Sequence, residues 1–425
     1  MSGLNQFLSL LGTCLVVGVC TFCQSPPPEG LIPQSEGLSL MDNSIRFFEE
    51  HALDSTTGAF YSDLDVSGQI TSPYIHLVAL SRLTYALAYS SEFFPERLAK
   101  AERAGRFILE KMVLRDSLGP YFVESFHVDS GPEIPKVLGL WQQSYGLGGL
   151  AELYRQTQDQ GLLDSLHALF PAYIKRFRDA ERGGFCQSSL PNQGPILTDK
   201  SLQSLLYPVS AALAGLWEAD TANRAQYEPI MAEHLQKLAH NCWDEQKGWV
   251  KVAFDQDWQP KSVEEVSPGH NFQLAWVLMK GAAWPFVSQQ EGAAYRHLGK
   301  QIIRRTMNQP VWDGGPKQGF FEAWHPGKDS LTSDLKSWWQ TCEALIALSF
   351  VKEEQADNLQ ALYGFFSQHF PDRARGNEYF HLTAENLPVE TELKGSMGKS
   401  SYHVTEMVRY LIQHGVMQPS QVAIF

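Results

Sequence analysis

Apolar residues recur at three- and four-residue spacing along almost the whole chain beyond residue 40. That rhythm predicts twelve helices, at 41–51, 75–89, 98–112, 143–155, 162–177, 201–216, 227–242, 270–282, 291–307, 341–351, 356–369 and 404–414. Between alternate helices stand short segments rich in glycine and aromatic residues: Gly58-Ala-Phe-Tyr, Gly119-Pro-Tyr-Phe, Gly183-Gly-Phe-Cys, Gly248-Trp-Val and Gly319-Phe-Phe. An aspartate precedes each of them: Asp54, Asp116, Asp179, Asp244 and Asp313. A mark that returns about once per sixty-odd residues is an internal repeat.

The repeating unit is helix, glycine-aromatic loop, helix, and about six such units fit the length. Helices that must each bury one face, joined by short loops, close into an inner and an outer ring. The pattern predicts an all-α fold, an (α/α)6 barrel, with short strands or hairpins in the loops of the pocket end, notably at 246–257 and 317–325. An open solenoid is built from similar units, but it has no need of a single aromatic-lined mouth.

The first thirty residues break the pattern. Residues 7–22 are nearly all apolar or small, and Pro26, Pro27 and Pro28 end the run. The run is short for a membrane span and matches the apolar part of an export signal, although residues 1–6 carry no Lys or Arg. Cys14, Cys20 and Cys23 make a lipoprotein signal a second reading, against which Val19 and Phe22 are larger than the residues such signals place before the acylated Cys. Residues 1–30 are therefore expected to be a targeting segment with a Pro-rich linker, and residues 31–425 a single catalytic domain. The expected location is outside the cytoplasm, periplasmic or lipid-anchored at the cell envelope, with a cytoplasmic protein as the alternative.

Composition narrows the function classes. The formal net charge is −13 and no basic block stands out, which disfavours nucleic-acid binding. Phosphate-binding loops, dinucleotide glycine fingerprints, His-Glu-x-x-His and Cys-x-x-Cys pairs in the body of the chain do not occur, so no cofactor and no metal is expected. Cys186, Cys242 and Cys342 are too few and too far apart for a disulfide framework and read as buried free thiols. A monomer or a homodimer fits equally well.

The candidate chemistry lies in two histidines. His270 stands in Ser267-Pro-Gly-His-Asn-Phe-Gln-Leu-Ala-Trp276 and His403 in Lys399-Ser-Ser-Tyr-His-Val-Thr-Glu-Met407, each where a loop runs into an amphipathic helix. Imidazole can take and give a proton near neutral pH. Two imidazoles on opposite sides of a carbon could remove a proton from one face and return it to the other. Aromatic neighbours suit a sugar, whose C–H faces pack on rings. Trp338 and Trp339 open another helix, and adjacent helical residues diverge, so one of the two is expected to face a sugar. Glu343, one turn beyond Trp339, is a candidate partner for a His, an Arg or a sugar hydroxyl. Tyr145, near Gln143 at the start of an inner helix, is a further pocket candidate. Arg82 sits in an apolar helix, where a charge must be paired with a core carboxylate or face a ligand. Trp276 reads as core; Glu406, three residues after His403, either shares the face of that histidine or faces solvent, and solvent is the reading preferred. His167, His234, His240, His297, His369 and His414 read as surface or boundary residues.

With these residues in family order, the chain resembles the N-acylglucosamine 2-epimerase family, which includes cellobiose and mannose 2-epimerases and aldose–ketose isomerases. The motifs are Leu80-Ser-Arg82, Gln143-Ser-Tyr-Gly-Leu-Gly-Gly-Leu-Ala-Glu-Leu-Tyr154, Gly183-Gly-Phe185, Pro268-Gly-His270, Lys336-Ser-Trp-Trp339 with Glu343, and Lys399-Ser-Ser-Tyr-His403. The resemblance implies an (α/α)6 barrel, a sugar pocket at one end, catalytic histidines at His270 and His403, and a substrate-contacting arginine at Arg82. It also exposes two departures. Gln273 stands where the family usually has a Glu three residues after the first histidine, and Tyr207 where it often has a His. Gln273 is expected to orient His270 or to touch substrate, and Tyr207 to bond a ring or carbonyl oxygen. The expected activity is C2 epimerisation or isomerisation of a reducing aldose through an enediolate. A sugar-binding member with weakened catalysis is one alternative. The other is a glycoside hydrolase or lyase drawing on Asp313 with Glu322 or Glu343, which needs a facing pair of acids.

Overall fold

The computed structural model describes residues 32–314 and 318–419; the targeting segment expected at 1–30 lies outside the described residues. The chain alternates between outer and inner helices. Outer α1 (Gln34–His51) is followed by inner α2 (Leu77–Ser90), outer α3 (Arg97–Lys111), inner α4 (Leu140–Thr157) and outer α5 (Gln160–Phe177). Inner α6 is a continuous rod made of Gln203–Tyr207, a π-helical stretch Pro208–Leu213, and Ala214–Ala219. Then come outer α7 (Glu228–Asn241), inner α8 (Pro268–Gly281), outer α9 (Gln289–Thr306), inner α10 (Trp338–Ser349), outer α11 (Ala356–His369) and inner α12 (Tyr402–Gln413). The inner helices touch in the order α2, α4, α6, α8, α10, α12, and α12 returns to α2, which closes the ring.

Burial follows from this placement. Every residue of α2 is buried, whereas α3 buries only one stripe. The all-round apolar helices are therefore the inner ones. Pro208 would break an ordinary helix, because its ring displaces the carbonyl one turn back. The wider π-turn absorbs it and lets α6 continue.

Small residues let the inner ring close. A Cβ on Gly148 would strike the Ala211 carbonyl, and one on Gly149 the Ser81 carbonyl, so α4 fits between α6 and α2 only with glycine at both positions. The repeat marks are tight turns after the outer helices. The Gly58 N–H donates to the Asp54 carbonyl, and Gly183, Gly248 and Gly376 do the same with Asp179, Asp244 and Asp372. These glycines hold φ between +69° and +85°, which explains their identity. Asp372 with Gly376 is a sixth mark that the sequence pattern missed. In three units a buried lysine from the entry to the next inner helix bonds the turn aspartate: Lys200 to Asp179 at 2.7 Å, Lys336 to Asp313 at 3.0 Å, and Lys394 to Asp372 at 2.6 Å. These pairs pin the long loops at the end where α8, α10 and α12 begin. Short strands occupy those loops, including Trp249–Val250, Ala253–Phe254 and Ala323–His325. Cys186, Cys242 and Cys342 are buried free thiols.

At the opposite end, Ile32–Pro33 pairs in parallel with Met417–Gln418.

Candidate active site

The starts of the inner helices converge on one indole. Trp339, in the first turn of α10, has the His270 ring at 5.4 Å and the His403 ring at 6.0 Å between centroids. His270 lies in the first turn of α8 and His403 in the first turn of α12. Trp338 meets the His403 ring edge-on, at 5.9 Å, from the core side. It is fully buried against Phe380, at 4.6 Å, and forms core rather than pocket wall.

The two histidines are held differently. The His403 Nδ1–H donates to Glu343 Oε1 at 2.9 Å, and the Trp276 Nε1–H donates to Glu343 Oε2 at 2.7 Å. Trp276 is buried as expected, but it also orients this carboxylate. Burial lowers the His403 pKa; the bonded Glu343 opposes the shift, while Arg82 and Lys399 reinforce it. The Nδ1 of His270 lies 3.0 Å from Ser267 Oγ, and its Nε2 lies 3.3 Å from the Gln203 amide nitrogen. Burial pushes the His270 pKa down to about 4, against a small opposing pull from Glu343.

This corrects one of the two roles expected of Gln273, the orientation of His270. It is buried and its Oε1 has no hydrogen-bond partner among the described residues, and Ser267 and Gln203 flank the His270 ring instead. A partner three residues away on the helix had seemed the natural orienter. The helix cap, which precedes the histidine, lies closer to Nδ1.

Arg82 forms a second wall with three aromatic rings. Its guanidinium lies 4.0 Å from the Tyr145 ring centroid, 5.3 Å from Tyr402 and 5.6 Å from Trp141, and it donates to the Gly398 carbonyl at 2.7 Å. Tyr207 packs on Tyr145 at 5.7 Å, so both predicted tyrosines belong to this wall. Among the described residues Arg82 has no carboxylate within ion-pair distance, and its Nε has no acceptor. The structural ion pair that the sequence left open is therefore absent among them. A desolvated cation–π contact returns about 2 kcal/mol, whereas burying the ion costs several. The balance leaves a cation suited to an oxyanion.

Two further expectations change. Glu406 is buried, bonded by the Tyr85 hydroxyl and paired with Arg409 at 3.7 Å, in a cluster that includes Glu152, Glu218 and Lys280. An acid in an apolar helix had suggested solvent, but α12 is buried all round. His234 is fully buried against Phe185, donating from Nδ1 to the Ile230 carbonyl at 2.8 Å. The carboxylates considered for hydrolysis are already engaged: Asp313 by Lys336, Glu322 by His381 and Glu343 by His403. His381 lies between Glu322, at 2.9 Å, and Glu392, at 2.8 Å, a clamp no sequence motif announced.

The family model described as N-acylglucosamine 2-epimerase (GlcNAc 2-epimerase) matches residues 58–407. A cellobiose 2-epimerase from Dictyoglomus turgidum is 21% identical over 407 residues, which cover 89% of this chain and 98% of that protein. The structure of a cellobiose 2-epimerase from Spirochaeta thermophila matches with a TM-score of 0.77 at 20% identity, over 90% of this chain and 96% of its own. A D-mannose isomerase structure gives a TM-score of 0.77 at 15% identity, over 89% and 97%. At these identities the structural likeness establishes the (α/α)6 barrel.

Proposed function

Since this chain belongs to the N-acylglucosamine 2-epimerase family, we propose that it is a cofactor-independent carbohydrate epimerase or isomerase acting at C2 of a reducing aldose. The observation that carries the reading is the shared contact of His270 and His403 with Trp339, which puts two imidazoles within one sugar's reach of each other. The aldose opens to its aldehyde. One histidine removes the C2 proton and leaves an enediolate. Arg82, a buried cation without a carboxylate partner among the described residues, stabilises the oxyanion as it forms. Return of a proton to the opposite face of C2 by the other histidine gives the epimer; delivery to C1 gives the ketose.

Incubation with glucose, mannose, N-acetylglucosamine and cellobiose in deuterated water tests this. Deuterium at C2 or C1 of one of them, lost in His270→Ala and His403→Ala variants that remain folded, is the expected result. Normal turnover by either variant would remove that histidine from the mechanism. Shortened oligosaccharide would instead mark a hydrolase. A second reading, sugar binding with weakened catalysis, draws on Gln273 and Tyr207, which replace an acid and a histidine. Calorimetric binding of a sugar that exchanges no deuterium would favour it.

We also propose that residues 1–30 direct export or envelope anchoring. A chain beginning at Glu29 should keep its helical circular dichroism, and loss of that signal would overturn the assignment.

A further inference from the structure

Ser267 Oγ serves two groups at once. It accepts the His270 backbone N–H at 3.4 Å, as the N-cap of α8, and it lies 3.0 Å from His270 Nδ1. The cap bond fixes the oxygen at the helix end and uses one lone pair. At the other side of the ring, the Gln203 amide nitrogen lies 3.3 Å from Nε2. An amide NH2 only donates, so it can meet only an unprotonated ring nitrogen. The proton of the neutral imidazole then belongs on Nδ1, where the second lone pair of Ser267 Oγ receives it.

We propose that Ser267 and Gln203 are positioning residues that hold His270 as its Nδ1–H tautomer, with Nε2 unprotonated and its lone pair held by the Gln203 amide until a substrate proton takes that place. The proposal deepens the functional reading above and rests on it for its kinetic part only. The two histidines then share one geometry with different partners. Each is held through Nδ1, His403 by a carboxylate and His270 by a hydroxyl. Opposed by the Gln203 amide across the ring, the hydroxyl accepts here as a carboxylate does, yet it gives a cationic ring little support. The part that Gln273 had been expected to play passes to residues 267 and 203, on the loop before α8 and on α6.

Long-range 1H–15N correlation of 15N-histidine-labelled protein reads the tautomer directly, with the His270 signals assigned by their loss in His270→Gln. The wild type should show a pyrrole-like Nδ1 and a pyridine-like Nε2. Ser267→Gly removes the hydroxyl but keeps a good helix cap, so it separates tautomer control from helix stability. It should give a mixture of tautomers and at least a tenfold lower kcat, with KM within twofold. Ser267→Thr should restore both. Gln203→Glu presents only acceptors to Nε2 and should invert the tautomer.

The spectra judge the tautomer assignment whether or not a sugar substrate has been found. An Nε2–H tautomer in the wild type, or an unchanged Nδ1–H tautomer in both Ser267→Gly and Gln203→Glu, would overturn it. A shifted tautomer with unchanged kcat in Ser267→Gly would overturn the positioning role in turnover. Failure of the functional reading looks different: turnover would be indifferent to His270→Ala.

Discussion

Replacing Glu343 by Gln keeps its shape and reverses the logic of the hydrogen bonds around it. One carboxylate oxygen accepts from Trp276 at 2.7 Å and the other from His403 at 2.9 Å. An amide offers one oxygen and one NH2. The Trp276 indole can only donate, so it claims the oxygen, and the NH2 faces His403 Nδ1. That nitrogen must then accept, its proton moves to Nε2, and the lone pair needed for proton abstraction leaves the pocket. The lost charge adds to this. Unit charges about 4 Å apart at an effective dielectric of roughly 20 interact by about 4 kcal/mol. Forfeiting that support for a forming imidazolium costs on the order of 10³-fold in rate.

Deuterium incorporation at C2, followed at saturating sugar, gives kcat for each variant. We expect Glu343→Gln to lose about 10³-fold in kcat. Trp276→Phe removes the competing donor, so the double variant Trp276→Phe/Glu343→Gln can turn its amide oxygen to His403. It should recover at least about tenfold over Glu343→Gln, although each single change is harmful. A Glu343→Gln enzyme retaining a tenth of wild-type kcat, or a double variant no better than the single, would refute this account.

Arg409 is the only cation that pairs with Glu152, Glu218 and Glu406 together among the described residues, at 3.6, 2.8 and 3.7 Å. Arg409→Met should cost about 3–5 kcal/mol, read as a clear fall in Tm, and an unchanged Tm would contradict it. Gly149→Ala forces α4 away from the Ser81 carbonyl, next to Arg82. It should cost about 1–3 kcal/mol in denaturant unfolding and raise KM; wild-type values of both would show that α2 tolerates the shift. Burial works against a charged His381, but Glu322 and Glu392 outweigh it and raise its pKa. Its stabilising contribution is full below the ordinary imidazole range, about 6.5, and fades as pH rises through the raised value. Amide protection of residues 381–392, corrected for intrinsic exchange, should fall with rising pH in wild type and not in His381→Gln. Equal pH dependence in both would dismiss the clamp.

The helices were legible because each inner or outer face repeats its apolar positions locally. Eleven predicted helices match observed ones to within a few residues at each end; α1 begins at Gln34, seven residues before the predicted 41, because its first turns carry few large apolar side chains. His270, His403, Trp339, Tyr145 and Arg82 were legible as polar or aromatic residues at or near the starts of apolar helices, and Tyr207 only through the family resemblance. Which partner each meets was not legible, although Glu343 stood as a candidate for a His, an Arg or a sugar hydroxyl. Glu343 and His403 meet across 60 residues, Gln203 and His270 across 67, and His381 and Glu322 across 59. Such pairs depend on which helix starts are neighbours around the ring, and periodicity does not encode that order. Glu406 was misjudged for a related reason. Its charge is balanced by Arg409 on its own helix and its carboxylate accepts a hydrogen bond from the Tyr85 hydroxyl on α2, so an interior position costs it less than a lone acid would suffer.

The parallel pairing of Ile32–Pro33 with Met417–Gln418 has a geometric consequence. Helix α12 starts beside the pocket with His403 and runs away from it to reach this pairing, so both ends of the described chain leave from the rear of the barrel. A label or surface linkage made at Ile32 or Gln418 therefore lies behind the barrel and leaves the entrance clear.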